Sequence, residues 1–224
     1  MDRSPTINWD RTSACAPPRG LERYAQDSAP EALLITCTDP ILDSRLLARF
    51  RSEPLLVWRS TGPIVPPYGM GHQHVEKAID HAVAVLGAKE IAICGHLPSE
   101  SLRALVGSDA PLEGPTEDPC LYYARATRRI VLEKYGRLKP DELLQAMVEE
   151  NVFVQMANIR TYPAVLVGLA RGHLKLHSWI YDVEKDELYA HGSSQSLFLN
   201  RINRLARPAR RRPPHIDPCD IYLA

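Results

Sequence analysis

Three side chains in this 224-residue sequence are of types that bind metal ions, and each stands where a strand-like run ends: Cys37 and Asp39 in Cys37-Thr38-Asp39, and His96 in Cys94-Gly95-His96. A thiolate, a carboxylate and an imidazole are suitable zinc ligands, and three protein ligands with the fourth position open is the arrangement of a catalytic zinc. Each residue also has an ordinary structural use. A cysteine closing a strand serves as a small core residue, and an aspartate at a strand–helix junction caps the helix. Ser99 stands three residues after His96 and just before a helical pattern. It reads as a helix cap, because a hydroxyl is a poor zinc ligand beside a thiolate.

The elements that must position these groups are strands. Ala32 to Thr36 reads as a buried strand, and Glu90 to Ile93 as another that runs into a Cys-Gly-His turn, with a short helix over 101–106. If the two strands are neighbours, Cys37, Asp39 and His96 converge at the carboxyl edge of one sheet, where open α/β proteins bind ligands. Between them the spacing predicts a helix over 40–50, a strand over 55–59, a fixed loop rich in Pro and Gly over 60–69, and a helix over 71–86 stopped by Gly87. Further on come a Gly/Pro/acid-rich loop over 107–119, helices over 120–134 and from Pro140 to about 158, an apolar stretch over 164–169 that suits helix or strand, and a hairpin over 173–191. Strands alternating with helices imply an α/β fold: a central, mostly parallel β-sheet flanked by helices on both faces. The expected organisation is an N-terminal arm over 1–30, an α/β domain over 31–200 and a basic, proline-containing C-terminal tail over 201–224.

Lys and Arg number 27, as do Asp and Glu, so the chain as a whole carries no bias toward nucleic acid or a membrane surface. The five cysteines include no CxxC, and no run approaches the roughly 18 apolar residues of a membrane span. Together with an N-terminus that lacks a signal-peptide core, this reads as a reducing, cytoplasmic setting. Arg201, Arg204, Arg207, Arg210, Arg211 and Arg212 lack interleaved aromatics and read as a solvated or partner-docked tail, not a nucleic-acid site. His72 and His74, two residues apart at a helix start, point to different faces and read as surface or interface residues.

The stretches Cys37-Thr38-Asp39, Arg59 to Tyr68, Ile93-Cys94-Gly95-His96, Asn151 to Pro163 and Trp179-Ile180-Tyr181-Asp182 occur in an order and at spacings that resemble the β-class carbonic anhydrases, over about residues 30–190. The resemblance implies a zinc held by two cysteines and a histidine, a metal-activated hydroxide that attacks carbon dioxide, an Asp–Arg pair that orients the fourth ligand, and a homodimer or larger assembly onto which the N-terminal arm packs. Cys37, Asp39 and His96 are then the metal ligands, and Asp39 and His96 the catalytic residues. Ile41, Gly62, Val65 and Ser99 are expected to line the substrate pocket. The sequence departs from the family pattern twice: Ser99 stands where the second cysteine belongs, and Ile41 where the arginine belongs. An Asp43-Ser44-Arg45 tripeptide lies four residues downstream of the expected place.

Three functions stay open on these residues. One is a zinc lyase that hydrates carbon dioxide through an altered site, in which an Asp39 unpaired from arginine turns in as a ligand. The second is an enzyme repurposed on the same scaffold for another small electrophile or metabolite. The third is a non-catalytic, metal-free homologue that binds a ligand or partner.

Overall fold

In the computed structural model, residues 21–23, 29–50, 53–70, 72–107 and 119–191 are described. They form six strands, β1 (Leu21–Arg23), β2 (Ala32–Cys37), β3 (Leu55–Ser60), β4 (Glu90–Leu97), β5 (Lys175–Asp182) and β6 (Glu187–His191). The helices are α1 (Ile41–Ser44), α2 (Gln73–Asp80), α3 (Glu100–Val106), α4 (Arg125–Tyr135), α5 (Pro140–Ile159) and α6 (Pro163–Ala170). The strands make one sheet in the order β1-β3-β2-β4-β5-β6. The four inner strands are parallel and the two edge strands antiparallel. This is the expected α/β architecture.

Both faces of the sheet are covered, which is why β2 is buried along its whole length. Alternate residues divide between the two faces, as the strand period of two requires. Leu33, Ile35, Leu56, Trp58, Ile91 and Ile93 pack with Val75 and Ile79 of α2 and with Val152, Met156 and Ile159 of α5. Leu34, Leu55, Val57, Ala92 and Cys94 pack on the other face with Leu42, Leu46, Leu47 and Phe50.

Several elements depart from the sequence reading. The helix expected over 40–50 is the single turn α1 followed by a 3-10 turn at Leu47–Phe50. The helix over 71–86 is α2 continued by a π-helical segment at His81–Val85. The helix over 120–134 is a 3-10 turn at Pro119–Ala124 followed by α4. The apolar stretch after Tyr162 is helix α6. Within the expected N-terminal arm, Leu21–Arg23 pairs with β3 as an edge strand. The rest of the arm through residue 20, and the arginine-rich tail, lie outside the described residues.

The Cys94-Gly95-His96 stretch is not a turn. Strand β4 runs through it to Leu97, in register with Cys94↔Trp179, Gly95↔Ile180 and His96↔Tyr181 of β5. The glycine is required by packing. A Cβ on Gly95 would lie 2.9 Å from Val148 and 3.0 Å from Val152, so α5 could not cross β4 this closely over any other residue.

Candidate metal centre

The site lies where the strand order reverses. From β2 the chain goes to β3 on one side, then returns past β2 to place β4 on the other. Open α/β sheets form a ligand crevice at the carboxyl ends of the strands at such a switch point. The β2–β4 ladder stops at Ile35↔Ile93. Beyond that rung Thr36 donates its hydroxyl to the carbonyl of Cys94 at 3.2 Å. Cys37 and His96 follow on strands that no longer pair with each other.

The structure brings two of the three candidate ligands face to face. His96 Nε2 lies 4.0 Å from Asp39 Oδ2, with His96 1% and Asp39 32% exposed. The other oxygen of Asp39 accepts the backbone N–H of Ile41 at 3.0 Å, which steadies the carboxylate at the start of α1. Both ring nitrogens of His96 are buried without a well-formed hydrogen bond. Burial pushes the imidazole pKa below its usual value, against the opposing pull of Asp39 and the Pro98 backbone. His96 is therefore neutral near pH 7, the form in which histidine binds a metal. Cys37 is a buried free thiol at the end of β2.

These residues match a zinc ion in donor chemistry and only partly in placement. Two tetrahedral ligands at about 2.0–2.2 Å from zinc have donor atoms about 3.4 Å apart. The Asp39–His96 separation of 4.0 Å is wider than that. Among the described residues, no three His, Cys, Asp or Glu side chains are gathered closely enough to hold a metal.

The two departures have definite places. Ser99 is 1% exposed. It occupies the N-cap position of α3, but its side chain makes no capping bond and instead meets the Ser101 hydroxyl at 3.4 Å. The expected cap is thus correct in position and absent as an interaction. Ile41 is 36% exposed at the start of α1, on the surface and outside the core. The displaced tripeptide does not replace the missing arginine. Arg45 donates to the carbonyl of Val183 at 2.9 Å, Asp43 pairs with Arg59, and Ser44 bonds to Ile41 within α1.

The loop after β3 forms the neighbouring wall. Gly62 has φ +67°, and a Cβ there would lie 3.2 Å from Leu102 of α3, the helix that Ser99 opens. Val65 is fully buried in the core. Its N–H donates to Gln155 Oε1 at 2.9 Å, while Asn158 donates to its carbonyl at 2.9 Å. Asn151 donates to the carbonyl of Gly62 at 2.7 Å, and the Tyr162 hydroxyl to that of Pro66 at 2.8 Å. Three amides at 151, 155 and 158, spaced by one helical turn in the otherwise apolar C-terminal part of α5, were the available signal that this helix holds a loop. His72 occupies the N-cap position of α2 without a side-chain capping bond, its ring edge-on to Tyr123, and His74 is exposed.

Residues 32–188 match the family model described as carbonic anhydrase. A carbonic anhydrase of Synechocystis is 33% identical over 87% of this chain and 72% of its own length. One from Pseudomonas aeruginosa is 34% identical over 87% of this chain and 88% of its own. The solved structure of the β-carbonic anhydrase CcaA superposes with a TM-score of 0.66 at 34% identity, covering 74% of this chain and 81% of that one.

Proposed function

From the premise that the chain belongs to the β-carbonic anhydrase family, we propose that it is a zinc protein with an altered site, in which Cys37, Asp39 and His96 hold the metal loosely and carbon dioxide hydration is slow. The observation that carries this reading is the buried imidazole of His96 with Nε2 facing the Asp39 carboxylate, 4.0 Å away at the switch point of the sheet. When bound, zinc supplies Lewis acidity that brings the pKa of a water toward about 7. The chain's own residues do the rest. Burial disfavours the protonated form of His96, the Ile41 N–H holds one oxygen of Asp39, and among the described residues no arginine pairs with the other. With one thiolate in place of two, the donor set is harder than the family's and binds zinc less tightly.

A second reading, a metal-free homologue, rests on the absence of any three gathered ligands among the described residues. Zinc content after purification without chelator separates the two, and hydration followed with a pH indicator then completes the test. About one zinc per chain with measurable hydration supports the altered lyase. Zinc without hydration points to another small electrophile as substrate. No zinc leaves the metal-free homologue. Ser99→Cys should raise zinc affinity at least about tenfold in a competitive chelator titration, since it restores a soft ligand, and Ser99→Cys with Ile41→Arg should raise hydration above the unaltered chain.

The same reading includes a homodimer, a cytoplasmic setting and bicarbonate as the product. Among the described residues no single helix is long and apolar enough to cross a membrane. Deleting residues 1–26 should dissociate the dimer in sedimentation. Unchanged mass and stability would remove the arm from the assembly.

A further inference from the structure

At the opposite end of the strands from His96, the loops that lead into β4 and β5 lie side by side. Each follows a helical segment and turns on a glycine of positive φ, Gly87 at +73° and Gly172 at +68°. The backbone N–H of Lys175 donates to the carbonyl of Lys89 at 2.9 Å, which ties the loops together. Between them and α6 lies a groove of about 880 Å³, within the roughly 300–1,000 Å³ of small-molecule sites.

The groove has an apolar side and a cationic side. Val83, Ala164 and Val167 contribute apolar surface, and Val167 is 48% exposed. Lys89, Arg171 and Lys175 line the same groove, with their side chains exposed and in no ion pair among the described residues. The lining carboxylate, Glu90, is 9% exposed and lies 3.4 Å from His177 beneath the groove. The rim thus carries three positive charges over an apolar surface.

We propose that this groove binds a free amphipathic anion, with a carboxylate or phosphate head among Lys89, Arg171 and Lys175 and an apolar body along Val83, Ala164 and Val167. The charge complementarity selects an anion, and the concave apolar wall selects a body of several methylenes over a bare inorganic ion. The site is independent of zinc and of carbon dioxide hydration, because it lies beyond the amino ends of β4 and β5.

Isothermal titration of the full chain tests this with octanoate, acetate, octanol and vesicles of phosphatidylglycerol. Octanoate should bind saturably, about one per chain, with acetate and octanol at least about tenfold weaker. Lys89→Glu with Lys175→Glu should weaken octanoate at least about tenfold through charge reversal, with the circular dichroism spectrum and thermal midpoint unchanged. The neutral pair Lys89→Gln with Lys175→Gln serves if the charge-reversed chain does not fold, and should weaken octanoate to a lesser extent. The proposal is overturned by octanol binding as tightly as octanoate, by no saturable octanoate binding, by binding to vesicles alone, or by octanoate affinity that ignores both pairs of substitutions. A change of sedimenting mass in the charge-reversed chain would also overturn it, by assigning the groove to a subunit contact.

Discussion

Two neighbouring parts of the molecule are built to different standards. In the loop from Gly62 to Tyr68, the carbonyls of Gly62, Val65 and Pro66 and the N–H groups of Val65 and Tyr68 each find a side chain on α5 or just after it. In the crevice beside it, His96 has two buried nitrogens without well-formed partners, Asp39 stands 4.0 Å off, and Ser99 does not cap its helix. The loop's contacts are saturated, and substitutions there leave buried groups orphaned. The crevice also holds Ser99 and Ile41, the two expected departures from the family pattern, and neither side chain makes a bond on which the fold depends. The frame beside the crevice is fully bonded, while the groups within the crevice are loosely partnered.

Breaking the saturated side should have the largest effect. Gln155→Ala removes the acceptor for Val65 and the contacts with Asn151 and Asn158, all in a fully buried position. Leaving such groups unpaired costs about 3 kcal/mol, measurable by urea denaturation. A loss below about 1 kcal/mol would mean that packing, not these bonds, fixes the loop.

Next comes the glycine on which both regions rest. Gly95→Ala forces a methyl against Val148 and Val152 of α5. Overpacking of this kind costs about 1–3 kcal/mol, and it should also displace His96, the next residue on β4. Thermal denaturation reads the first effect. The imidazole chemical shifts of His96 read the second, and unmoved shifts would show that α5 yields without disturbing the crevice.

Substitutions on the altered side should be milder. Ser99→Cys gives up only a 3.4 Å contact with Ser101, since no capping bond exists to lose. Its stability cost should stay under about 1 kcal/mol, whereas removing a working cap typically costs about that much. Ile41→Arg should have the smallest effect, within about 0.5 kcal/mol, because the side chain is on the surface. A destabilisation of about 3 kcal/mol or more at Ile41 would indicate a buried unpaired charge, and so a position covered by another subunit.

The architecture was legible from the sequence because it rests on local signals. The apolar runs Ala32 to Thr36 and Glu90 to Ile93, alternating with helical spacing, are enough for a parallel sheet covered on both faces. The order of the matched stretches was enough for the family. The breaks inside the expected helices were less legible. Residues 40–50 carry apolar spacing suited to a helix, yet the chain turns at Arg45, whose guanidinium bonds to the carbonyl of Val183, just past the end of β5. That partner is 138 residues away, and no local pattern reveals it.

By itself the sequence determined which candidate donors stand at the expected places: the thiol of Cys37, the carboxylate of Asp39 and the imidazole of His96. It determined this because residue type is covalent fact. Only the tertiary structure decided what those donors can reach. Gly95 reads as a turn in one dimension and is a packing glycine in three, because α5 crosses β4 above it. Arg45, in the Asp-Ser-Arg tripeptide four residues downstream of the expected place, is committed to Val183. Distances between side chains on different strands depend on where the ladder between β2 and β4 ends and on what packs across it, and those are properties of the assembled sheet.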